Sequence, residues 1–275
     1  MYVGAHTSSY FKKLIESAQL IKKTGGNLVQ VFVDPIRFSR ASHRQYYQDF
    51  KKFLTKNDMK CVIHASYTIN LSRDWDQYSS WIQQFILEIN AAQELGALGI
   101  VVHMGKQMEL SKEEAYNNMY SSLLYVHDQV KGDIKILLET STGQGSEICF
   151  KLDEFAYFFK KFSRNRNKSI SQRFGVCFDT CHVFAAGYDL STKAGIYMYL
   201  EAFEELIGLR YIGLVHLNDS KRELGSNVDR HDNIGKGYIG INGLLELVGY
   251  FKKINIPIVL ETPGEYILHD LKLIL

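Results

Sequence analysis

Short aliphatic and β-branched runs alternate along the chain with longer stretches in which apolar residues recur every three or four positions. A short apolar run bounded by turn signals predicts a strand buried on both faces, and the longer spacing predicts an amphipathic helix. The runs read YVGAH at 2–6, LVQVFV at 28–33, MKCVIHA at 59–65, GIVVHMG at 99–105, DIKILLET at 133–140, RFGVCFDT at 173–180, YIGLVHLND at 211–219 and IPIVLET at 256–262. From Asp76 to Leu95, the residues Trp81, Phe85, Ile86, Ile89 and Ala92 mark one helical face. Eight strands alternating with helices predict a parallel sheet closed into a (β/α)8 TIM barrel, one domain over 1–275. Pro35 and Pro263 stand just after the second and eighth runs, where βα loops begin.

A chemical repeat lies on top of the strand repeat. Six runs end in two apolar residues followed by a metal-type ligand: Val62-Ile63-His64, Val101-Val102-His103, Leu137-Leu138-Glu139, Cys177-Phe178-Asp179, Leu214-Val215-His216 and Val259-Leu260-Glu261. In a parallel barrel the C-terminal strand ends meet at one rim, the face that carries enzyme active sites, so these side chains are expected to face one another. His182 follows Asp179 by three residues, and Asp229 and His231, two apart in an extended loop, point the same way. Nine groups built of imidazole and carboxylate fit catalytic zinc, with manganese chemically close. Two histidines sharing a glutamate with a carboxylate-rich neighbour predict a bridged pair of ions. His182, Asp229 and His231 then hold a third. Paired metals activate water and bind the oxygens of a phosphodiester, so hydrolytic phosphate chemistry is the expectation.

Period-two alternation turns Cys177 inward beneath Asp179 and leaves Phe178 against the outer helices. Cys181 stays open between a packed thiol, an extra ligand and a partner for Cys177.

Composition narrows the class further. With 275 residues, 46% hydrophobic and 23% charged, the chain is that of a globular protein with a large core. No apolar run approaches the ~18 residues of a membrane span, and MYVGAHTSSYFKK lacks a signal-peptide core, so an intracellular protein with no membrane partner is expected. A net charge of +2 decides nothing about partners, which depend on where charges lie. Four scattered cysteines without a CxxC pair argue against a disulfide scaffold.

The segments LLETSTGQGS at 137–146, GVCFDTCHVFAAGYD at 175–189, VHLNDSKRELGSNVDRHDNIGKGYIG at 215–240 and VLETPG at 259–264 resemble those of the endonuclease IV family of apurinic/apyrimidinic endonucleases, xylose-isomerase-like TIM barrels. The resemblance covers nearly the whole chain. It implies three Zn2+ per chain, Mn2+ being possible in one site: His64, His103 and Glu139 form one site, Glu139, Asp179, His216 and Glu261 a second, and His182, Asp229 and His231 a third. It implies hydrolysis of the phosphodiester 5′ to an abasic deoxyribose, leaving a 3′-hydroxyl and a 5′-deoxyribose phosphate, with clearing of blocked 3′ ends. Glu261 or Glu139 would orient the attacking water, and the damaged nucleotide would be flipped out of the duplex. The implied partner is double-stranded DNA with abasic sites or blocked 3′ ends, met by a monomer.

Arg37 and Tyr67 match the family's duplex-penetrating positions, and Gln144 sits like a family residue near the site. Lys221, Arg230 and Lys236, with Arg40, Lys106 and Arg222, fall in rim loops that can meet phosphates. The run KKFSRNRNK at 160–168 precedes the sixth strand and belongs at the opposite face, as a solvated loop. A sugar isomerase or epimerase on the same barrel is the rival reading, and a non-catalytic binder of damaged DNA a third. The trio His182, Asp229 and His231 separates the first from its rival, because sugar isomerisation has no evident need for it.

Overall fold

Alternation along each strand divides its side chains between two cores, and the barrel is what results when eight such strands close. The computed structural model describes residues 1–7, 13–34, 41–264 and 266–275. The parallel strands are β1 (Val3–His6), β2 (Leu28–Phe32), β3 (Lys60–His64), β4 (Gly99–Val102), β5 (Lys135–Glu139), β6 (Phe174–Asp179), β7 (Ile212–His216) and β10 (Ile258–Leu260). They close in the order β1-β10-β7-β6-β5-β4-β3-β2, and a separate antiparallel ribbon pairs β8 (Asp219–Ser220) with β9 (His231–Asp232). Among the described residues no helix is long and apolar enough to cross a membrane.

Inside the barrel, Leu28, Val62, Val101, Leu137, Cys177, Leu214 and Val259 form one buried cluster. Each lies two residues before the end of the inward-facing row, so this layer is the floor beneath the mouth. The alternate residues face the helices. Phe178 packs its ring 5.7 Å from Tyr199 and 5.4 Å from Phe251, on helices Lys193–Leu206 and Gly240–Lys253. Burying a side chain of this size stabilises the fold by roughly 1.5–3 kcal/mol relative to exposure. Cys177 is therefore floor and Phe178 outer core, as alternation requires.

Two of the boundaries that differ from the sequence expectation have a local cause. The helix expected from Asp76 starts at Ser80, because the Asp76 carboxylate accepts from Tyr78 N and Ser79 Oγ and closes a turn first. The sixth strand begins at Phe174 because Asn167 caps a short helix, Lys168–Arg173, by accepting from Ser169 N at 3.0 Å. Arg164, Arg166 and Lys168 are exposed in the connection entering β6, at the barrel's N-terminal face, away from the mouth.

Candidate metal centre

The strand ends bring their imidazoles and carboxylates to one place. His64, Glu139, Asp179 and His216 are the last residues of β3, β5, β6 and β7, while His103 and Glu261 stand one residue beyond β4 and β10. The Glu139 carboxylate is the hub. Its Oε2 lies 3.2 Å from His103 Nε2 and 3.5 Å from His64 Nε2, and its Oε1 lies 2.7 Å from His216 Nδ1. His216 Nδ1 is also 3.1 Å from Glu261 Oε2 and 3.8 Å from Asp179 Oδ2.

The CFDTCH segment bends the chain so that one carboxylate serves two purposes. Asp179 Oδ1 accepts from His182 N at 2.9 Å, capping the short helix Thr180–Ala185 and carrying the His182 ring into the mouth. Its Oδ2 accepts from Asn218 Nδ2 at 2.8 Å. From the opposite loop, Asp229 approaches His182 Nε2 at 3.3 Å and His231 Nε2 at 3.2 Å.

Donor atoms within 4.8 Å of one another form the sets His64–His103–Glu139, Glu139–Asp179–His216–Glu261 and His182–Asp229–His231. All nine residues expected to be ligands are brought together in these sets. Whether the sets suit ions can be judged from their polar atoms. His64 Nε2, Glu139 Oε2, His182 Nε2 and His231 Nε2 are buried without a hydrogen-bond partner among the described residues. Buried polar atoms are ordinarily satisfied, and orphans grouped around one hub point to an electrophile they share. The residues fit divalent ions.

Electrostatics agree with that use. Burial disfavours charge at every position, yet Glu139 is held well below the usual carboxylate range by His216 and His103, and Glu261 at about 2 by His216 and His64. Burial pulls the His216 and His231 rings down, but it is outweighed: Glu261 and Glu139 hold His216 at about 9, and Asp229 and Asp179 hold His231 at about 9. The Glu139 and Glu261 carboxylates are thus ionised at neutral pH. Cys177 and Cys181 also come within reach of ligand sets, but burial pushes the Cys181 thiol up to about 12 and Cys177 well above its ordinary value. Both thiols are buried and free, so neither is a ready thiolate nor disulfide-bonded here.

Around the centre, Tyr67 is 66% exposed, with its ring 5.1 Å from His64 and 5.2 Å from His103, forming an aromatic lip over the first set. A cavity of about 350 Å³ opens beside it, lined by Tyr67, Lys106, His103, Asp229, Arg230 and His231. Gln144 lines the same cavity and accepts from Asp229 N at 2.8 Å through Oε1. Lys221, Arg222, Arg230 and Lys236 line a second cavity of about 370 Å³ with Tyr238. Lys106 is 3.7 Å from Glu147. Arg37 and Arg40 lie outside the described residues.

Three polar residues of the centre are absent from the expected set. Gln30 and His6 stand at the mouth on β2 and β1, and Asn218 accepts from Glu261 N at 2.8 Å while donating to Asp179. The signal for Gln30 was present: Leu28-Val29-Gln30 repeats the spacing of the ligand-bearing strands with an amide in the ligand's place.

The xylose isomerase-like TIM barrel family model matches residues 18–274. A protein of Acanthamoeba polyphaga mimivirus named as an endonuclease 4 is 32% identical over 95% of this chain and 85% of its own length. One from Mycoplasma mobile is 36% identical over 83% of this chain and 77% of its own. Among solved structures, endonuclease IV from Thermus thermophilus superposes with a TM-score of 0.76 at 24% identity, covering 98% of this chain and 95% of that one. A D-tagatose 3-epimerase-like protein superposes at 0.69 with 19% identity, covering 99% and 94%, so the fold is shared well beyond nucleases. With relatives above 30% identity along most of its length, the chain belongs to the endonuclease IV family of xylose isomerase-like TIM barrels.

Proposed function

We propose that the protein, acting as one domain over 1–275, is a zinc-dependent apurinic/apyrimidinic endonuclease of DNA base-excision repair. It cuts the phosphodiester 5′ to an abasic site, leaves a 3′-hydroxyl and a 5′-deoxyribose phosphate, and clears blocked 3′ ends. The observation that carries this reading is the third donor set, His182–Asp229–His231, standing beside the pair that shares Glu139. Sugar isomerisation or epimerisation on the same barrel has no evident need for a third donor set. Three adjoining sets suit a phosphodiester, whose attacking, leaving and non-bridging oxygens all carry charge in the transition state.

Bound divalent ions supply Lewis-acid charge and lower the pKa of water. Glu139 holds the first two sets together, with one carboxylate oxygen toward each. Glu261, ionised and tethered through Oε1 to Gln30 Nε2, keeps Oε2 on the side of His216 Nδ1, where it can accept a hydrogen bond from an attacking water. Tyr67 offers an aromatic face to the nucleotides beside the lesion, and Lys221, Arg230 and Lys236 offer charge to phosphates. Flipping is least costly where a base is already missing, so part of the selectivity resides in the substrate.

The test is incubation of the purified protein with a duplex bearing one abasic-site analogue, matched undamaged duplex alongside, and metal content measured on the same sample. Incision immediately 5′ of the analogue, with zinc bound to all three sets, is expected. A fully metallated protein that leaves the analogue intact and epimerises a ketose would reverse the assignment. His182→Ala should slow incision by at least about 100-fold, the scale on which loss of a charge-stabilising group acts, with circular dichroism unchanged.

A further inference from the structure

The inward-facing ring at the barrel mouth has a member on every strand or one residue beyond it, and two of them, His6 and Gln30, are in none of the donor sets. Gln30 is fully buried, and its amide is engaged at both ends. Oε1 lies 2.7 Å from His216 Nε2, and Nε2 donates to Glu261 Oε1 at 2.6 Å while lying 3.1 Å from His6 Nδ1. The amide's orientation follows from these neighbours. A carboxylate that holds an ion only accepts hydrogen bonds, so the nitrogen of the amide faces Glu261. The oxygen then faces His216 Nε2, and since it also only accepts, that ring nitrogen carries a hydrogen. The lone pair available for an ion is left on Nδ1, the atom turned toward Glu139, Glu261 and Asp179.

His216 differs in this from its counterparts. His64 and His182 turn Nδ1 toward main-chain oxygens, of Ala65 and Thr140, each at 2.7 Å, and leave Nε2 for the centre. His216 is inverted, and a side chain on another strand holds its outer nitrogen. Both amide hydrogens of Gln30 have acceptors, because His6 takes the second, and the His6 ring is itself set edge-on against Phe32 at 4.8 Å.

We propose that Gln30 is a positioning residue that locks His216 in its Nε2–H tautomer and ties that ring to Glu261, so that a side chain outside the donor set governs how tightly the Glu139–Asp179–His216–Glu261 set holds its ion. The inference rests on the metal-dependent reading above. Removing an outer hydrogen-bond partner of a ligating histidine ordinarily weakens metal binding by about 10–100-fold.

The experiment uses zinc-loaded wild type and Gln30→Met, a swap that keeps the volume but removes both the acceptor and the donor. A chromophoric chelator titrated against each protein reads the affinity and number of ions per chain. Gln30→Met should weaken one ion of the Glu139-sharing pair by about 10–100-fold while the His182–Asp229–His231 ion is held as in wild type. Identical titrations overturn the proposal. Long-range 15N–1H spectra of the zinc-loaded wild type provide a second reading independent of the variant's folding: His216 protonated at Nε2 supports the lock, and a hydrogen on Nδ1 instead overturns it. If wild type itself binds no ion at the His216 set, the metal reading fails first. If it binds one that Gln30→Met retains, the role of Gln30 alone fails.

Discussion

Gln144 was expected as a DNA contact, and the structure gives its side chain a second task that can be measured separately. Its Oε1 accepts from Asp229 N at 2.8 Å, a bond between residues 85 apart in the chain. The turn that carries it stands without that side chain, because Gln144 N donates to Thr142 Oγ1 and Glu147 Oε2, and Gly143 N donates to the same carboxylate oxygen. Gln144→Leu should therefore leave the turn in place and remove only the brace on the loop bearing Asp229. One neutral, partly buried hydrogen bond contributes about 0.5–1.5 kcal/mol. At about 1.4 kcal/mol per tenfold, the His182–Asp229–His231 ion should bind about 2- to 12-fold more weakly. Among the described residues Gln144 has no hydrogen bond to the other two donor sets, which should be unaffected. Gln144→Glu retains an acceptor for Asp229 N and should recover part of the loss. Chelator titration of the zinc-loaded proteins, paired with equilibrium binding of an abasic-analogue duplex, gives both quantities. A leucine variant that holds every ion at wild-type affinity yet binds the duplex tenfold more weakly would refute the brace and leave only the DNA contact.

Three further outcomes are expected. Tyr67→Ala should weaken binding of the abasic duplex about 5- to 150-fold, the equivalent of about 1–3 kcal/mol of stacking, with metal content unchanged; equal affinity would remove the ring from the interface. In the metal-free protein His216 and His231 stay protonated up to about pH 9, so an ion must expel those protons. Zinc uptake at pH 8 should release protons into a weakly buffered indicator solution, and apparent affinity should rise from pH 7 to 9 and then level; uptake without proton release would contradict the charge assignment. Charge reversal at Arg164 and Arg166, exposed on the face away from the mouth, should change duplex affinity less than twofold by fluorescence anisotropy, and a tenfold loss would move the DNA path.

The clustering of imidazoles and carboxylates at the strand ends was legible because two periodicities coincide there. Period two decides which side chains point inward, and the parallel barrel puts all C-terminal ends on one rim, so six spacings sufficed to bring His64, His103, Glu139, Asp179, His216 and Glu261 together. The same arithmetic reaches Gln30 from Leu28 and His6 from Gly4. Neither has the look of a ligand-bearing strand end, Gln30 because an amide is a poor ligand and because β2 continues to Phe32, His6 because a glycine and an alanine precede it. A β-carbon at that glycine would stand 1.6 Å from Leu28 O, so closeness of β1 to β2, not core volume, selects the residue. What spacing could not supply was the outer ring of hydrogen bonds, whose members meet only after the barrel closes.

The loop that carries Asp229 and His231 shows why the third donor set depends on such non-local bonds. Asp219 was expected to end the seventh strand, but β7 stops at His216 and the Asp219 carboxylate is fully buried. It accepts from the backbone N–H groups of Ser220, Gly235, Gly237, Ile239 and Gly240, drawing the far end of the loop back to its start. At Gly237 a β-carbon would fall 2.2 Å from Ser220 O, so only glycine permits that approach. The ribbon of β8 and β9 closes the same loop from the other side, with Ser220 paired to His231 and Lys221 N donating to Arg230 O at 2.9 Å. His231 is thereby fixed by main-chain pairing, and Asp229, two residues earlier, by Gln144. The donor set on which the phosphodiester proposal rests is thus held from outside the barrel strands, by a buried carboxylate and a two-residue ribbon. Asp219→Asn, which exchanges a charged acceptor for one with half the accepting atoms, should loosen the His182–Asp229–His231 ion while sparing the Glu139-sharing pair; equal loosening of all three sets would mean that the loop and the barrel mouth yield as one unit.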